Sequence, residues 1–276
     1  MIVFLNGEFL PETRAAIPIN DRGFMLGDGL FETIRVVRGN PFRFAQHLER
    51  LARGADFLKI KSPFTANELR KIADQLVEQN HMPEAVLRVT LTRGPGSRGY
   101  TPDASGRPTL AMTLHPAPPD AALPQKLVTS TLRPAADDPL ASFKTTSKIL
   151  NVLARAEAVA KGADEALLLN VNGEVTETAG GNLFWVDRDV ICTAPTKCGA
   201  LPGVTRAVVL EICEALGLKS TEQIVRLPAL IKMNGIFITQ SVLGVVPVKA
   251  IDGQPVQSSP VINQIALRYN ERLVRD

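Results

Sequence analysis

The sequence predicts an α+β fold in two domains, and three observations support this prediction. The 276 residues exceed the commonest size of a single domain. Strand and helix patterns alternate along the chain. A proline-rich stretch, "HPAPPDAALPQ" at 115–125, interrupts them. We therefore predict a small α+β domain at 1–115, a linker at 116–125 and a larger domain at 126–276.

The first 115 residues contain patterns for hairpins, helices and strands. The hairpin patterns are "IVFLNGEFL", which turns at Asn6-Gly7, and "FETIRVVRGNPFRF", which turns at Gly39-Asn40. Apolar residues recur at helical spacing in "AQHLERLARGADFL". Thr65, with Glu68 three residues later, predicts the start of a second helix through a capping box. The strand patterns "AVLRVTLTRG" and "PTLAMTL" then flank a glycine-rich loop, "RGPGSRGYTPDASG".

Beyond the linker, strands and helices alternate again. The patterns predict, in order, a strand "KLVTSTL", a helix at 148–161, hairpins "EALLLNVNGEVTE" and "NLFWVDRDVICT", a helix at 203–217 and a strand "GIFITQ". Pro260 in "SSP" suits the first turn of a final helix.

Composition excludes several classes of function. The chain has 31 basic and 28 acidic residues without basic blocks, which argues against nucleic acid as a partner. No apolar stretch approaches membrane-spanning length and the N-terminus lacks a charged signal region, so we expect a cytoplasmic protein without membrane association. The three cysteines, Cys192, Cys198 and Cys213, lack metal-type spacing and nearby histidines, so we expect neither disulfides nor a metal site.

Two lysines lie four residues apart at the start of a helical pattern, in "SFKTTSKILNVLARAEA". A lysine that forms an imine must be partly neutral, and burial or nearby positive charge lowers its pKa. Lys144 could be that residue and Lys148 the neighbouring charge or an anion contact. Spacing alone is more typical of two solvated lysines at a helix entrance.

Two loops could contact a ligand. In "GALPGVTRAVVLEICEAL" the backbone N–H groups of Val204 and Thr205 begin a helix, where a phosphate can bind, although the loop could also merely cap the helix. In "NGEVTETAGGNLFWV" Glu177 lies at a strand end before glycines, which suits a ligand contact or an exposed turn. Arg35, Arg50 and Arg98 are candidate anion contacts because a guanidinium binds carboxylate or phosphate with two hydrogen bonds.

Seven segments in this order resemble the class IV aminotransferase family, the fold-type IV enzymes that use pyridoxal 5′-phosphate. They are "GDGLFETIRV", "HLERL", "TRGPGSRGY", "FKTTSKILNVLARAEA", "EALLLNVNGEVTETAGGNLFWV", "LPGVTR" and "ITQSVLGVVPV", between residues 27 and 248. The resemblance implies a small α+β domain, a larger domain with a barrel-like sheet, and a homodimer.

The resemblance also implies roles for individual residues. Lys144 is the expected Schiff-base lysine and the acid or base that moves the substrate proton. Glu177 is expected to keep the pyridine nitrogen protonated, so that the ring accepts electrons. The expected phosphate contacts are Arg50, the backbone of Val204 and Thr205, and Ser241.

Local features resemble 4-amino-4-deoxychorismate lyases, which make 4-aminobenzoate and pyruvate. These features are Thr33 in "FETIRV", the "RGPGSRGY" loop, and "TQSVLGVVPV", where Gly244 stands in the place of a glutamate in many transaminases. The small-molecule amino substrate is then expected to contact Thr33, Arg35, Arg98, Lys148, Val242 and Leu243.

Glu32 and Arg98 also suit a transaminase for D-amino acids or branched-chain amino acids, which is the alternative. Tyr100 replaces the histidine of the D-amino-acid enzymes, and Ile149 lies near the place of a branched-chain-enzyme tyrosine. A third alternative is a non-catalytic protein that binds the cofactor or an anion.

Overall fold

A computed structural model describes residues 1–102, 106–118 and 123–275. Its contacts divide the chain into two compact units: Met1–Pro118 with Phe143–Lys148, and Pro119–Ser142 with Ile149–Arg275. The predicted domains are continuous segments of the chain, with boundaries at 115 and 126. In the structure, residues 143–148 instead belong to the first unit, because Thr145 pairs with Leu30 there. Residues 119–122 of the predicted linker lie outside the described residues.

The first unit is the small α+β unit. Its strands are β1 (Ile2–Leu5), β2 (Glu8–Pro11), β3 (Gly29–Val37), β4 (Asn40–Pro41), β5 (Ala85–Thr92) and β6 (Thr109–Pro116). Its helices are α1 (Arg22–Leu26), α2 (Phe44–Leu58) and α3 (Ala66–Asn80). Both predicted hairpins form, although the second turns at Arg38-Gly39 because Val37 pairs with Asn40. Thr65 and Glu68 form the predicted capping box.

The strands of this unit form one antiparallel sheet in the order β2-β1-β6-β5-β3-β4. Helices α2 and α3 bury their apolar stripes against one face, where Leu48, Leu51 and Leu76 pack on Leu30 and Ile34. Because side chains alternate along a strand, Phe31, Thr33 and Arg35 lie on the other face of β3. That face carries two of the candidate substrate residues, Thr33 and Arg35.

The second unit contains the remaining elements. Its strands are β7 (Gln125–Thr129), β8 (Glu165–Leu169), β9 (Val175–Thr178), β10 (Asn182–Asp187), β11 (Val190–Thr193), β12 (Lys219–Glu222), β13 (Ile236–Gln240), β14 (Gly244–Ile251) and β15 (Gln254–Pro255). Its helices are α4 (Ile149–Ala160), α5 (Val204–Ala215), α6 (Leu227–Leu230) and α7 (Pro260–Arg275). Pro260 begins the last helix as predicted, whereas α1, α6, β12, β14 and β15 had no prediction of their own.

The predicted barrel-like sheet is confirmed. The strands β10-β13-β14-β7-β8-β9 are paired in that order, and β9 returns to β10 through Glu177 and Asn182. Every barrel strand contributes to one buried apolar cluster, which includes Trp185, Leu167 and Ile238. On the outer side Phe184 stacks on Phe237, and α5 packs against β13. The barrel thus fixes the strand ends that carry Glu177 and the turn after β13.

The predictions about membranes and cysteines concern the whole chain. In the part of the chain that the structure describes, no helix combines the length and apolarity that a bilayer crossing needs. Cys192, Cys198 and Cys213 are all buried thiols. Burial raises the pKa of Cys198 and of Cys213 to about 11, so both thiols stay protonated near neutral pH.

Candidate active site

Lys144 is fixed beside the start of β3. The N–H of Phe31 donates to the carbonyl of Lys144 at 2.9 Å, and Thr145 forms an antiparallel bridge with Leu30. The N–H of Thr146 donates to the carbonyl of Gly29 at 2.9 Å. Residues 144–146 therefore add a short extended segment to β3, and α4 begins only at Ile149. Local pairing, which sequence spacing did not reveal, distinguishes Lys144 from Lys148.

The side chains of Lys144 and Arg88 both lie against the ring of Phe31. Its Nζ lies 4.6 Å from the ring centroid of Phe31, and the guanidinium carbon of Arg88 lies 3.9 Å from the same centroid. Thr33 is the pairing partner of Arg88, so Phe31, Thr33 and Arg88 share one face of the sheet. Burial lowers the pKa of Arg88, but a guanidinium stays charged near neutral pH.

Arg88 is a half-buried cation without a carboxylate partner among residues 1–102, 106–118 and 123–275. A buried or half-buried charge is normally paired. Its position beside Lys144 therefore suits a negatively charged group of a ligand.

A buried ionic cluster lies on the helix side of β3. Glu32, fully buried, accepts hydrogen bonds from Arg50 Nε at 2.8 Å and Nη2 at 2.6 Å, and pairs with His47 Nδ1 at 2.7 Å. Burial alone would raise the pKa of Glu32, but the hydrogen bonds and charges of Arg50 and His47 lower it to about 2. The carboxylate is therefore ionised, and His47 Nδ1–H donates to it. Glu32 holds the predicted phosphate contact Arg50 in one orientation.

The pKa of His47 is lowered, chiefly by burial; Glu32 acts in the opposite direction, and the positive charges of Arg50 and Lys144 add to the lowering. His47 is therefore neutral near pH 7. The influence of Lys144 on His47 links the lysine electrostatically to the buried cluster.

The other candidate substrate residues of the first unit occupy different surroundings. Thr33 is half-buried two residues beyond Phe31 on the same face. Arg35 is buried, and its Nη2 forms an ion pair with Glu84 at 3.4 Å. Arg98 is exposed in the loop after β5, and Lys148 is half-buried directly before α4. The structure thus groups Thr33 with Arg88 and Lys144, and gives Arg35 an acidic partner.

In the second unit, Glu177 has one oxygen held in place by two donors. Its Oε2 accepts a hydrogen bond from Asn182 Nδ2 at 3.1 Å and another from the N–H of Leu201 at 3.0 Å. Asn182 Nδ2 also donates to the carbonyl of Leu201 at 2.7 Å. Glu177 is half-buried at the barrel closure, which orients a carboxylate that is predicted to face a protonated ring nitrogen.

The start of α5 fits a phosphate. Its N-cap is Gly203, which supplies no side-chain cap, and the first-turn N–H groups at Val204 and Thr205 have no acceptor within the helix. A Cβ on Gly203 would collide with Asn182 Oδ1, so the chain there requires glycine. These are the donor groups and the positive helix end that bind phosphates.

A buried hydroxyl supports this fit. Thr239 is 1% exposed, and its Oγ1 has no hydrogen-bond partner among the residues that the structure describes. Thr239 pairs with Asn182 across β13 and β10, so both side chains lie on the face that packs against α5. An unsatisfied hydroxyl at such a place suits a ligand oxygen.

Ser241, Val242 and Leu243 form the turn between β13 and β14 and are all half-buried. Gly244 ends this turn at φ +69°, and a Cβ on it would lie 2.6 Å from Cε1 of Tyr269 in α7. The glycine therefore has a packing reason in this chain. Its use as a mark of one enzyme subtype is correspondingly weaker.

Several residues near Lys144 and near Glu177 were not predicted from the sequence. Arg88, His47 and Asn182 received no role, and Glu32 served only to distinguish subtypes. Arg88 is the one charged residue of "AVLRVTLT", an otherwise apolar and threonine-containing strand, and that contrast was the available signal. The pairing of Glu32 with α2 depends on a fold that spacing cannot give.

Comparison with known proteins identifies similar sequences along almost the whole chain. The family model described as "Amino-transferase class IV" matches residues 29–251. A protein of Methanocaldococcus jannaschii named "Putative branched-chain-amino-acid aminotransferase" is 33% identical, over 99% of this chain and 95% of its own length. The D-alanine aminotransferase of Bacillus licheniformis is 31% identical, over 94% and 91%. The aminodeoxychorismate lyase of Bacillus subtilis is 27% identical, over 99% and 94%.

Solved structures show the same range of relatives. The branched-chain aminotransferase of Thermoproteus uzoniensis with norvaline has a TM-score of 0.92 and 27% identity, over 100% of this chain and 95% of that chain. A branched-chain aminotransferase of T.th. with pyridoxamine 5′-phosphate has a TM-score of 0.91 and 27% identity, over 99% and 94%. A Legionella pneumophila protein named "Putative 4-amino-4-deoxychorismate lyase" has a TM-score of 0.88 and 26% identity, over 95% and 97%.

Proposed function

The chain belongs to the amino-transferase class IV family, and from this premise we propose that it is a pyridoxal-phosphate enzyme that acts on the amino group of a carboxylate-bearing substrate. The observation that carries the proposal is the position of Lys144 and Arg88 at the ring of Phe31. One cation is the candidate covalent residue, and the other is a guanidinium without an acidic partner in the described residues.

Candidate cofactor contacts occur in each unit, and each has its own support. In the first unit these are Lys144, through its amine, and Arg50, oriented by Glu32. In the second unit the first turn of α5 and the turn that begins at Ser241 would bind phosphate, and Glu177 would bind the ring nitrogen. When bound, pyridoxal phosphate withdraws electrons from the substrate carbon that loses its proton.

The chain's own groups would bind the substrate and move its proton. Arg88 would bind a substrate carboxylate, because a guanidinium matches two carboxylate oxygens. The Lys144 amine would take and return the proton of the substrate carbon. Phe31 would keep the two side chains at fixed distances, since both approach its ring.

Within this class, we put forward 4-amino-4-deoxychorismate lyase activity first. The support is the half-buried Thr33 opposite Arg88, the "RGPGSRGY" loop with Arg98, and the lyase among the relatives. The substrate of that enzyme carries two carboxylates, which suits two separate cations. The Gly244 feature adds little, because Tyr269 already requires a glycine there.

Aminotransferase activity on D-amino or branched-chain amino acids is the second candidate. Relatives above 30% identity, among them those of Methanocaldococcus jannaschii and Bacillus licheniformis, are named aminotransferases. Glu32, which suits a transaminase, is ionised and holds Arg50. The single α-carboxylate of an amino acid substrate would then bind to Arg88.

A substrate experiment separates the two candidates. The purified protein with pyridoxal phosphate is given 4-amino-4-deoxychorismate, and pyruvate is measured without any added keto acid. Release of pyruvate supports the lyase. If no pyruvate forms and D- or L-amino acids alone convert the cofactor to its pyridoxamine form, the aminotransferase replaces it.

Arg88→Gln tests the proposed carboxylate contact in either reaction. We expect KM to rise about tenfold or more, since a charged hydrogen bond contributes about 1.5–3 kcal/mol. Arg70→Gln, in an exposed pair with Asp74, is the matched control and should leave KM unchanged.

We further propose that the protein is a homodimer. Helix α4 buries Ala154 and Ala158, but Ile149, Val152 and Leu153 are exposed on another side at helical spacing. A contiguous apolar stripe is typical of an interface, and a second copy is the occupant that the family resemblance implies.

A further inference from the structure

The two ends of the loop that carries Arg98 lie close together at its base. Gly94, at φ +82°, lies so close to Arg107 that a Cβ would collide with the carbonyl oxygen of that residue. On the other side, the N–H of Gly96 donates to the carbonyl of Asn20 at 3.1 Å, and Asp21 forms a bridge with Pro95. The loop is thus attached at its base to the segment before α1. Residues 103–105 lie outside the described residues.

Further along the loop, the backbone is held by a buried arginine. Arg22 is 4% exposed, yet its Nη1 donates to the carbonyl of Gly99 at 2.9 Å and its Nη2 to that of Tyr100 at 3.2 Å. A longer contact of 3.5 Å reaches the carbonyl of Thr101. The side chain of Tyr100 is 88% exposed, so packing of that side chain does not hold the loop. Arg22 does.

Arg22 is itself held by Asp28. Its Nε donates to Asp28 Oδ2 at 2.9 Å, and Arg93 donates to both oxygens of Asp28, at 2.7 and 3.1 Å. Arg93 also donates to the carbonyl of Leu58 at 2.8 Å, at the end of α2. Asp28 would therefore keep a cationic partner if Arg22 were replaced. Loss of Arg22 should loosen the loop without leaving a buried unpaired carboxylate.

We infer that Arg22 is a positioning residue that fixes the backbone at 99–101 and thereby places the Arg98 side chain. Only the role of Arg98 toward a substrate rests on the proposed function; the attachment of the loop does not. A guanidinium offers five donors in a rigid fork, so one side chain can hold successive carbonyl oxygens. A preordered Arg98 spares the loss of loop entropy when a carboxylate binds.

Limited trypsin digestion tests the attachment without any substrate. Trypsin cleaves after arginine, and a protease needs a locally mobile segment, so the Arg98–Gly99 bond should be cut slowly in the native protein. In Arg22→Gln we expect cleavage at Arg98 to be about tenfold faster, with Arg22→Lys intermediate because one ammonium cannot reach all the carbonyls. Cleavage elsewhere in the chain reports global unfolding.

Two further variants keep this test decisive. Gly96→Ala would put a Cβ 2.7 Å from Cδ of Arg22 and displace it, so it should also speed cleavage at Arg98. Arg70→Gln, on α3, is the control and should not. Unchanged cleavage at Arg98 in both Arg22→Gln and Gly96→Ala would overturn the inference.

Kinetics then test the consequence for the substrate. Arg22→Gln should raise KM about tenfold while kcat and the absorbance of the bound cofactor stay nearly unchanged. In an Arg98→Gln background, the second change at Arg22 should add almost nothing, because both act through one side chain. Independent, additive effects would contradict positioning through Arg98. If the proposed activities are both absent, the trypsin result still decides the attachment.

Discussion

Lys144 and Lys148 lie four residues apart, yet they lie in different backbone segments. Lys144 sits in a segment that pairs with β3 and places its amine at the Phe31 ring, whereas Lys148 directly precedes α4. The pairing is made by backbone hydrogen bonds, so it would persist when either side chain is removed. The two lysines can therefore be compared directly by substitution.

We expect Lys144→Ala to abolish the visible absorbance that lysine-bound pyridoxal phosphate produces, because no amine remains to bond to the cofactor. Lys148→Ala should keep the band and is the matched control. Spectra of the two variants after incubation with pyridoxal phosphate decide the assignment. Loss of the band in Lys148→Ala alone would contradict it.

Glu32 makes a pH-dependent contribution to stability. Its pKa is about 2 in the folded protein against 4.5 for an unperturbed glutamate, so it is lowered on folding. A lowered carboxyl pKa stabilises the fold above pH 4.5, and the contribution is lost as the pH falls from 4.5 toward 2. The difference corresponds to about 3 kcal/mol for this fully buried group.

Glu32→Gln should therefore lower the free energy of unfolding by about 3 kcal/mol at pH 7, with a smaller loss at pH 3. Urea unfolding at both pH values measures this. Glu211→Gln, which breaks an exposed pair with Arg272, should change it by less than about 1 kcal/mol. Equal losses for Glu32→Gln at both pH values would mean that ionisation of Glu32 is not the cause.

At the scale of elements, the turn between β13 and β14 depends on packing against α7. Gly244 is left-handed and faces the ring of Tyr269, which is 1% exposed. Gly253, in the turn before β15, has a similar φ of +76° but nothing within 4 Å of a Cβ. The two glycines thus separate backbone strain from crowding.

We predict that Gly244→Ala destabilises the protein by about 2–4 kcal/mol, from left-handed strain plus overpacking. Gly253→Ala should cost only about 1 kcal/mol, from strain alone. Urea unfolding of both variants gives the difference. Similar losses of stability in the two variants would show that the Tyr269 ring moves aside without a cost in free energy.

The other elements show how far periodicity reaches. Apolar spacing predicted α2, α3, α4, α5 and the hairpins to within a few residues, because each buries one face and its pattern is local. The short helix α1 was missed since Arg22–Leu26 is too brief for periodicity. Its importance lies in contacts of Arg22 with carbonyls 77 and 78 residues away.

At the scale of the whole molecule, the exposed stripe of α4 predicts association. Sedimentation should give twice the mass of the 276-residue chain, and Val152→Asp should shift it toward the single-chain mass by placing a charge in an apolar contact. Lys161→Asp, just beyond the same helix, is the control and should leave the mass unchanged. A monomeric native protein would refute the proposed homodimer.

The sequence by itself determined the α+β class, most helices and strands, and the family, because these depend on local patterns and on ordered motifs. Only the tertiary structure decided that the barrel closes through Glu177 and Asn182, that Glu32 holds Arg50, and that Arg88 meets Lys144 at Phe31. The contacts of Arg88 and Lys144 at Phe31 join residues far apart in the chain, whereas Glu177 and Asn182, five residues apart, join strands of two separately predicted hairpins. Spacing predicts the pairing of neighbouring strands in a hairpin but not the pairing of separate hairpins or of distant strands, and that pairing is what places these residues together.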